Sequence, residues 1–568
     1  MKYIKANINT VLLLLIILVA NLVSSFLYTR LDLTEEKRYS ISKATKNFLA
    51  NLDDIVTVRV FLSGNLPSGM KELEKSAEAT LNEFKAYAGS RLEFEFVDLN
   101  DYPVDIQEEI GKELMEKGLN PISLTVVESG EQTQRIIFPG ATLSYKGRVI
   151  SANLLENKLG YDQYEILNNS ITLLEYKFAN AIQKLQQSHP PVIAFSTGHG
   201  EATQEQLTEI IQDLQVNQFA VSMLDLRLGY EIDKLVDVLV IAKPTQAFTE
   251  KEKYKIDQYL MRGGKIFWLI DQMAMDMDSL QGADFFMAQP RDLNLDDILF
   301  KYGVRINDDL VQDLQNTKLE IQTGFNNNQP QTQFFSWPFF PLMFGNEAHP
   351  ISKNLAPISS KFVSTIDTIK NPQIKKEILL TSSAYSKALM APVRVFVGMV
   401  QNPPPPEAYI QSQLSTAVAL SGSFESVFKN RAFTGAYAQM ADSTESMKFK
   451  EQSEPGARMI VVGDGDLIIN ASSKGKKQAL GFSIYGNNNE AMVFDNKAFL
   501  LNAIEYLIDD NSLLETRSKE IKLRQLDATK VKQSKQKIQV LSLILPLVFL
   551  AIFALLYLFF RKRKYSAA

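Results

Sequence analysis

No cysteine occurs anywhere in the 568 residues. That absence excludes disulfides, thiolate nucleophiles, cysteine-ligated zinc and CxxC redox chemistry together. Histidine is almost as scarce, with only His189, His199 and His349. A multi-histidine metal centre would need nearly all of them from well-separated positions, so no metal site is expected. A strong charge of either sign is also missing. The net charge of -5 leaves no basic footprint for nucleic acid. There is no G-x-S-x-G elbow and no P-loop, and the GDGD at 463–466 lacks the further ligands of an EF-hand loop.

What is present is apolar patterning. Hydrophobic residues at 45% against 22% charged describe a folded chain, and its length calls for two to four domains. Two uncharged runs stand out. INTVLLLLIILVANLVSSFLY, 8–28, is long enough to cross a bilayer, and its length without a small-x-small cleavage site favours an uncleaved anchor. VLSLILPLVFLAIFALLYLFF, 540–560 within a span of 538–560, is followed at once by Arg561-Lys562-Arg563-Lys564. That cluster, with Lys2 and Lys5, places both termini in the cytoplasm. Residues of roughly 30 to 537 then lie across a bacterial inner membrane, in the periplasm. Lys530, Lys532, Lys535 and Lys537 oppose this orientation, but long translocated domains override such charges.

Between the spans, 40–188 reads as strand 55–63, helix 70–88, strand 91–99, helix 105–118, a third strand opening at Pro121, then a hairpin turning at Lys146-Gly147. Leu73, Ala77, Leu81 and Phe84 form the buried stripe of the first long helix, and Ser42 is a plausible N-cap for a short one before it. The order is similar to a thioredoxin-like domain without its CxxC. A helix over 171–187 leads out of it.

Residues 189–510 form a second α/β unit. Strands at 192–197, 236–244 and 265–271 are near-continuous apolar runs separated by helices, the pattern of a parallel sheet covered on both faces. Thr203 with Gln206 makes a capping box, and Thr249 is placed to cap the next helix. From about 280 to 455 regularity fades. NNNQPQTQFFSWPFFPLMFGN and QNPPPPEA are expected to be loop-like parts of a large insertion. The strand of ARMIVVGDGDLI and the helix of KAFLLNAIEYLID then complete the earlier sheet. The aromatic run Phe334 to Phe344 is expected to be a buried satellite core, or else an exposed partner-binding patch. Residues 511–537 are charged and make a juxtamembrane stalk.

Ligands of a parallel sheet bind beyond its carboxyl strand ends. Three such ends carry ionisable groups: His199 and Glu201 in TGHGE, Asp271 in WLID, and Asp464 and Asp466 in VVGDGD. Converging, they would make a small-ligand site or a carboxylate cradle for a divalent cation. The plainer reading is that Gly198, Gly200, Gly463 and Gly465 shape tight turns while the acids cap helices or pair with cations. No catalytic set is expected. Ser196, His199 and Asp271 do not form a triad, because Ser196 belongs to the strand and not the turn.

Taken together, RLDLTEEKRYSIS after the first span, FSTGHGE, VLVIAKPTQAFTEKEKYKIDQYLMRGGKIFWLID and RMIVVGDGDLI…NKAFLLNAIEYLID resemble the GldG family over nearly the full length. These are membrane-anchored accessory, or substrate-binding, components of a gliding-motility-associated ABC transporter. The resemblance implies a class I glutamine amidotransferase-like fold for the second domain, without the cysteine those enzymes use. It also implies association with a permease subunit and, through it, a cytoplasmic ATPase. The reading is therefore a non-catalytic subunit without a cofactor, held in membrane lipid, binding a small ligand or an envelope protein. The alternatives are a tethered periplasmic hydrolase or ligand-modifying enzyme using the TGHGE and GDGD turns, and a purely structural envelope element.

Overall fold

The computed structural model describes residues 15–16, 41–128, 131–156, 162–187, 189–280, 285–326, 329–431, 448–473, 476–509 and 528–565. They fall into two units, one up to Glu520 and one from Ile521.

The first helix, α1 (Lys43–Ala50), is capped as expected: the Ser42 hydroxyl accepts the Thr45 N–H at 3.0 Å. Glu175 then ties this start down, accepting the Ser42 N–H at 2.7 Å and the Thr45 hydroxyl at 2.8 Å. Next come β1 (Val56–Val60), α2 (Ser68–Ala88), β2 (Leu92–Phe96), α3 (Val104–Glu116), β3 (Ile122–Glu128), β4 (Glu131–Ile137), β5 (Gly140–Tyr145), β6 (Arg148–Asn153) and α4 (Gln163–Gln186). The sheet order is β2-β1-β5-β6, with β1 and β2 parallel and the rest antiparallel. Leu73, Ala77, Leu81 and Phe84 are fully buried along α2, as their spacing predicts. Lys146 and Gly147 both take positive φ (47° and 79°), which a two-residue hairpin with right-handed strands requires.

The strand after Pro121 departs from expectation. β3 does not enter this sheet; it pairs only with β4, from Ile122 opposite Ile137 to Glu128 opposite Glu131. Two strands only a few residues apart find each other first, because short loops cost least to close. The sheet's third strand begins instead after Pro139, at Gly140. A Cβ on Gly140 would stand 2.5 Å from Leu119 Cδ2, so only glycine admits this approach.

The second domain carries β7 (Val192–Thr197), α5 (Thr208–Val216), β8 (Ala220–Asp225), β9 (Val236–Ala242), α6 (Glu250–Met261), β10 (Lys265–Leu269), β11 (Asn316–Asn326), β12 (Gln329–Gly345), β13 (Ile374–Thr381), β14 (Ser415–Gly422), β15 (Arg458–Val462), β16 (Phe482–Tyr485), β17 (Glu490–Val493) and α7 (Asn496–Ile508), with shorter elements between. One twelve-stranded sheet runs β17-β16-β11-β12-β13-β14-β15-β10-β9-β7-β8, with a two-residue strand at Ile358–Ser359 against β12. From β15 to β8 the strands are parallel, and from β14 to β17 they are antiparallel.

Alternate residues of the parallel strands feed two cores. Ile193, Phe195, Val240, Phe267, Leu269 and Ile460 face α5 and α7. Ala194, Leu239, Ile241, Trp268 and Val461 face α6 and a short helix at Asp296–Tyr302. Burying each such large side chain contributes about 1.5–3 kcal/mol, which is why these strands read as unbroken apolar runs.

The span 280–455 is not the irregular insertion its sequence implies. β11, β12, β13 and β14 lie within it and continue the same sheet. Of the three prolines in β12, Pro338 sits where the ladder is already broken, while Pro330 and Pro341 stand opposite Phe325 and Asn316. Between Asn316–Pro341 and Lys318–Ser336 the register slips, leaving 337–340 bulged. Pro338 therefore removes no ladder donor. At the bulge the Asn316 side chain replaces the missing strand, accepting the Trp337 N–H at 2.9 Å and the Ser336 hydroxyl at 2.7 Å. Trp337, Phe339 and Phe340 are buried with Leu310, Phe362 and Val393 in a satellite core, while Phe334, Phe335 and Phe344 are half-buried. QNPPPPEA forms no strand, as expected.

In the last unit, α8 (Ala528–Tyr565) contains Gln539–Arg563, 25 residues with a mean hydropathy of 2.9, long and apolar enough to cross a membrane. The expected span lies inside it, and 528–537 of the expected stalk belong to the same helix. The expected span at 8–28 falls outside the described residues apart from Leu15 and Ile16.

Candidate functional site

The carboxyl ends of β7, β9, β10 and β15 are neighbours, so the expected residues lie along one edge of the sheet. Each strand end is fastened to the next. Ala202 N–H donates to Ala242 C=O at 2.9 Å, Lys243 N–H to Leu269 C=O at 2.8 Å, and Ile270 N–H to Val462 C=O at 3.0 Å.

The TGHGE turn after β7 is shaped by its glycines. Gly198 and Gly200 have φ of 111° and 68°, which L-residues resist. A Cβ on Gly198 would lie 2.7 Å from Asp225 Oδ1, and on Gly200 2.1 Å from Thr245 Oγ1. The His199 carbonyl accepts the N–H groups of Thr245 and Gln246 at 2.8 and 2.9 Å, locking the turn to the segment after β9.

His199 itself points inward, only 3% exposed, stacked on Phe248 with ring centroids 3.9 Å apart. Both ring nitrogens face carboxylates. Nδ1 is 3.5 Å from Glu201 Oε1, an ion-pair distance too long for a hydrogen bond, and Nε2 is 3.1 Å from Glu252 Oε2. Glu201 also accepts the His199 N–H at 2.6 Å. Glu252 completes a capping box on α6, accepting the Thr249 N–H and hydroxyl, each at 2.6 Å. Burial pushes the imidazole pKa down, but Glu201 and Glu252 outweigh it and hold it above its ordinary value. Burial pushes both glutamates up, but the neighbouring His199 imidazole and the hydrogen bonds from the His199 N–H to Glu201 and from Thr249 to Glu252 bring them below their ordinary value. The result is a charged His–Glu–Glu knot with little room for a ligand.

The second cluster gathers Lys243, Asp271, Asp464 and Asp466. One oxygen from each aspartate lies within 4.8 Å of the others. Lys243 Nζ stands 3.1 Å from Asp271 Oδ2 and ion-pairs with Asp466. The GDGD turn supplies donors: Gly465 N–H reaches Asp271 Oδ1 at 2.5 Å, and Asp466 N–H reaches Asp464 Oδ1 at 2.7 Å. Lys361 N–H donates to Asp464 Oδ2 at 3.0 Å. Burial, then the charges of Asp466 and Asp271, push Asp464 up to about 8. Burial likewise raises Asp271, against the pull of Lys243. The Lys243 ammonium takes the place among these oxygens that a divalent cation would need.

The structure thus brings Asp271, Asp464 and Asp466 together, and pairs His199 with Glu201 one strand end away. The segment Lys243–Gln246 joins the two groups. Sequence reasoning missed Lys243 and Glu252, the ionic partners that complete each cluster. Glu252 was visible as the third residue after the Thr249 cap, and Lys243 as the lone cation closing the apolar run VLVIA.

These features define an α/β protein with an internally paired ionic strand edge and, in its last unit, a membrane-length helix. The chain belongs to the family described as ABC-type uncharacterized transport system, whose profile matches residues 190–503. Residues 35–144 match a domain of unknown function, DUF7088. An uncharacterized protein of Borreliella burgdorferi is 21% identical over 344 residues, 59% of this chain and 60% of that protein. The chain thus matches less than two thirds of that relative's length. Among solved structures, the mmIFT52 N-terminal domain is similar at a TM-score of 0.31 and 12% identity, over 56% of this chain and 97% of that one.

Proposed function

We propose that this chain is a non-catalytic, membrane-anchored subunit of an ABC transporter complex. Its exterior domains engage a ligand or envelope partner at the carboxyl edge of the parallel sheet, and its apolar helices dock on the permease. The observation that carries this reading is that the family match covers the whole domain bearing the strand-end clusters. Each ionisable group along that edge already has an internal partner, and the chain holds no thiol. That arrangement suits a rigid binding edge better than a reaction centre.

Finer features follow the same reading. The order β2-β1-β5-β6 supports a thioredoxin-like scaffold for the first domain, and the parallel half of the large sheet supports an amidotransferase-like scaffold for the second. A second span at 8–28 would set both termini inside the cell and the domains in the periplasm. The FSTGHGE and RMIVVGDGDLI stretches support a role in the gliding-motility-associated transporter. The test is affinity purification of the full chain from native membranes, with mass spectrometry of what accompanies it. A polytopic permease and an ATPase are expected; recovery of neither overturns the reading.

A further inference from the structure

Among the described residues, β8 ends the large sheet and is hydrogen-bonded to β7 alone. In a parallel strand the N–H and C=O of one residue point the same way, and successive residues alternate. Ala220 N–H donates to Pro191 C=O at 2.9 Å, and Leu226 N–H donates to Thr197 C=O at 3.2 Å. The even-numbered residues therefore face β7. The backbone groups of Val221, Met223 and Asp225 face outward.

Edge strands of stable monomers are usually blunted by lysine, proline or a bulge. β8, AVSMLD, has no lysine, no proline and no register break against β7. Its one charge, Asp225, is turned back onto Arg227, with Nη2 to Oδ2 at 2.7 Å. Exposure peaks in the middle, at Ser222 and at Met223, which is 39% exposed. The loop that follows adds exposed Leu228, Tyr230 and Leu235 beside the edge.

We propose that this edge pairs with the same edge of a second copy of the chain, antiparallel about a two-fold axis through Met223. The outward groups dictate that register. In an antiparallel ladder, residues that exchange both hydrogen bonds lie opposite each other. With outward groups at 221, 223 and 225, one symmetric solution uses them all: Met223 opposite the second copy's Met223, and Val221 opposite its Asp225. Each outward N–H then meets an outward C=O, and the Asp225 carbonyl keeps the Leu228 N–H it already accepts at 3.1 Å. The contact is isologous and closed, so it yields a dimer and not a fibre. Confinement to one membrane would raise the effective concentration of the two edges.

The absence of cysteine makes the test clean. In the full-length chain in its native membranes, Met223→Cys is the only thiol, and the two copies would lie about 5.5 Å apart at Cα. A short bis-maleimide should convert it to a dimer-mass species linked at that position, while Ile378→Cys, 40% exposed but on β13 at the far side of the parallel strands, should stay monomeric. Adding Ser222→Lys places a charge at the exposed middle of the edge strand, away from the core-facing Val221, and should cut the cross-linked yield at least tenfold while leaving the melting temperature unchanged. A monomer only, a product with a different protein, or a dimer indifferent to Ser222→Lys would each overturn the proposal.

Discussion

The Nε2 of His199 lies 3.1 Å from Oε2 of Glu252, and that same oxygen accepts both the N–H and the hydroxyl of Thr249 at the start of α6. One carboxylate therefore binds a strand-end turn and a helix start together. Removing the imidazole leaves two buried carboxylates facing each other. His199→Ala should cost about 3–5 kcal/mol, the usual penalty for breaking a buried ion pair from one side. Chemical denaturation of the purified chain measures it. A fully stable His199→Ala variant that had lost function would instead favour the tethered-enzyme reading.

The pH dependence of the knot has a definite sign. The imidazole is raised above 6.5 in the folded state, so its contribution is complete below that value and is lost as pH climbs through the folded-state value. Glu201 and Glu252 are depressed below 4.5, so theirs is complete above that value and is lost as pH falls through the folded-state values. Thermal melting from about pH 5 to 9 should therefore decline on the alkaline side. In His199→Gln that alkaline decline should shrink.

Lys243→Met tests the second cluster. It strips the counter-ion from Asp271 and Asp466 and should destabilise the chain by about 3–5 kcal/mol at mildly alkaline pH. Because Asp464 is raised to about 8 and Asp271 is also raised, acidification neutralises the unpaired charge. The penalty should shrink as pH falls, and equal penalties at both ends of the range would refute the assignment.

Gly200→Ala combines two faults, a φ of 68° and a Cβ 2.1 Å from Thr245 Oγ1. The backbone part alone should cost about 1–2 kcal/mol. Adding Thr245→Ala relieves the collision but not the backbone, so the double variant should recover part of the loss, which a double-mutant cycle in urea would show.

Membrane orientation can be read from a single introduced thiol. Tyr230→Cys, 63% exposed, should react with a membrane-impermeant maleimide in intact spheroplasts. Labelling only after lysis would place the domain in the cytoplasm.

How much of this was legible beforehand depended on whether local chemistry set the outcome. Ser42 and Thr249 announce helix starts through bonds to residues three positions away; Thr203 N–H meets Gln206 Oε1 at 2.9 Å, but this pair opens turns at 204–207 and α5 begins only at Thr208, behind Leu207. The buried strands were visible because both their faces are covered. β12 was hidden because Asn316, more than a dozen residues upstream of Pro338, supplies what the proline lacks. The acids of the strand ends were legible as ionisable groups in glycine turns, but not their ionic partner. Nothing in GDGD says that Lys243, over two hundred residues earlier, will stand among them.

The placement of β15 bears on how the chain is made. This strand pairs parallel with β10 on one side and antiparallel with β14 on the other, so it is the seam between the two halves of the sheet. At ~5–20 residues per second of synthesis, β10 waits on the order of ten seconds or longer for that partner. Through that interval β10 presents an open edge to whatever surrounds the nascent chain, and late in it so does β14. A polypeptide terminated before Arg458 would keep both edges permanently, and it should aggregate instead of yielding a smaller soluble domain.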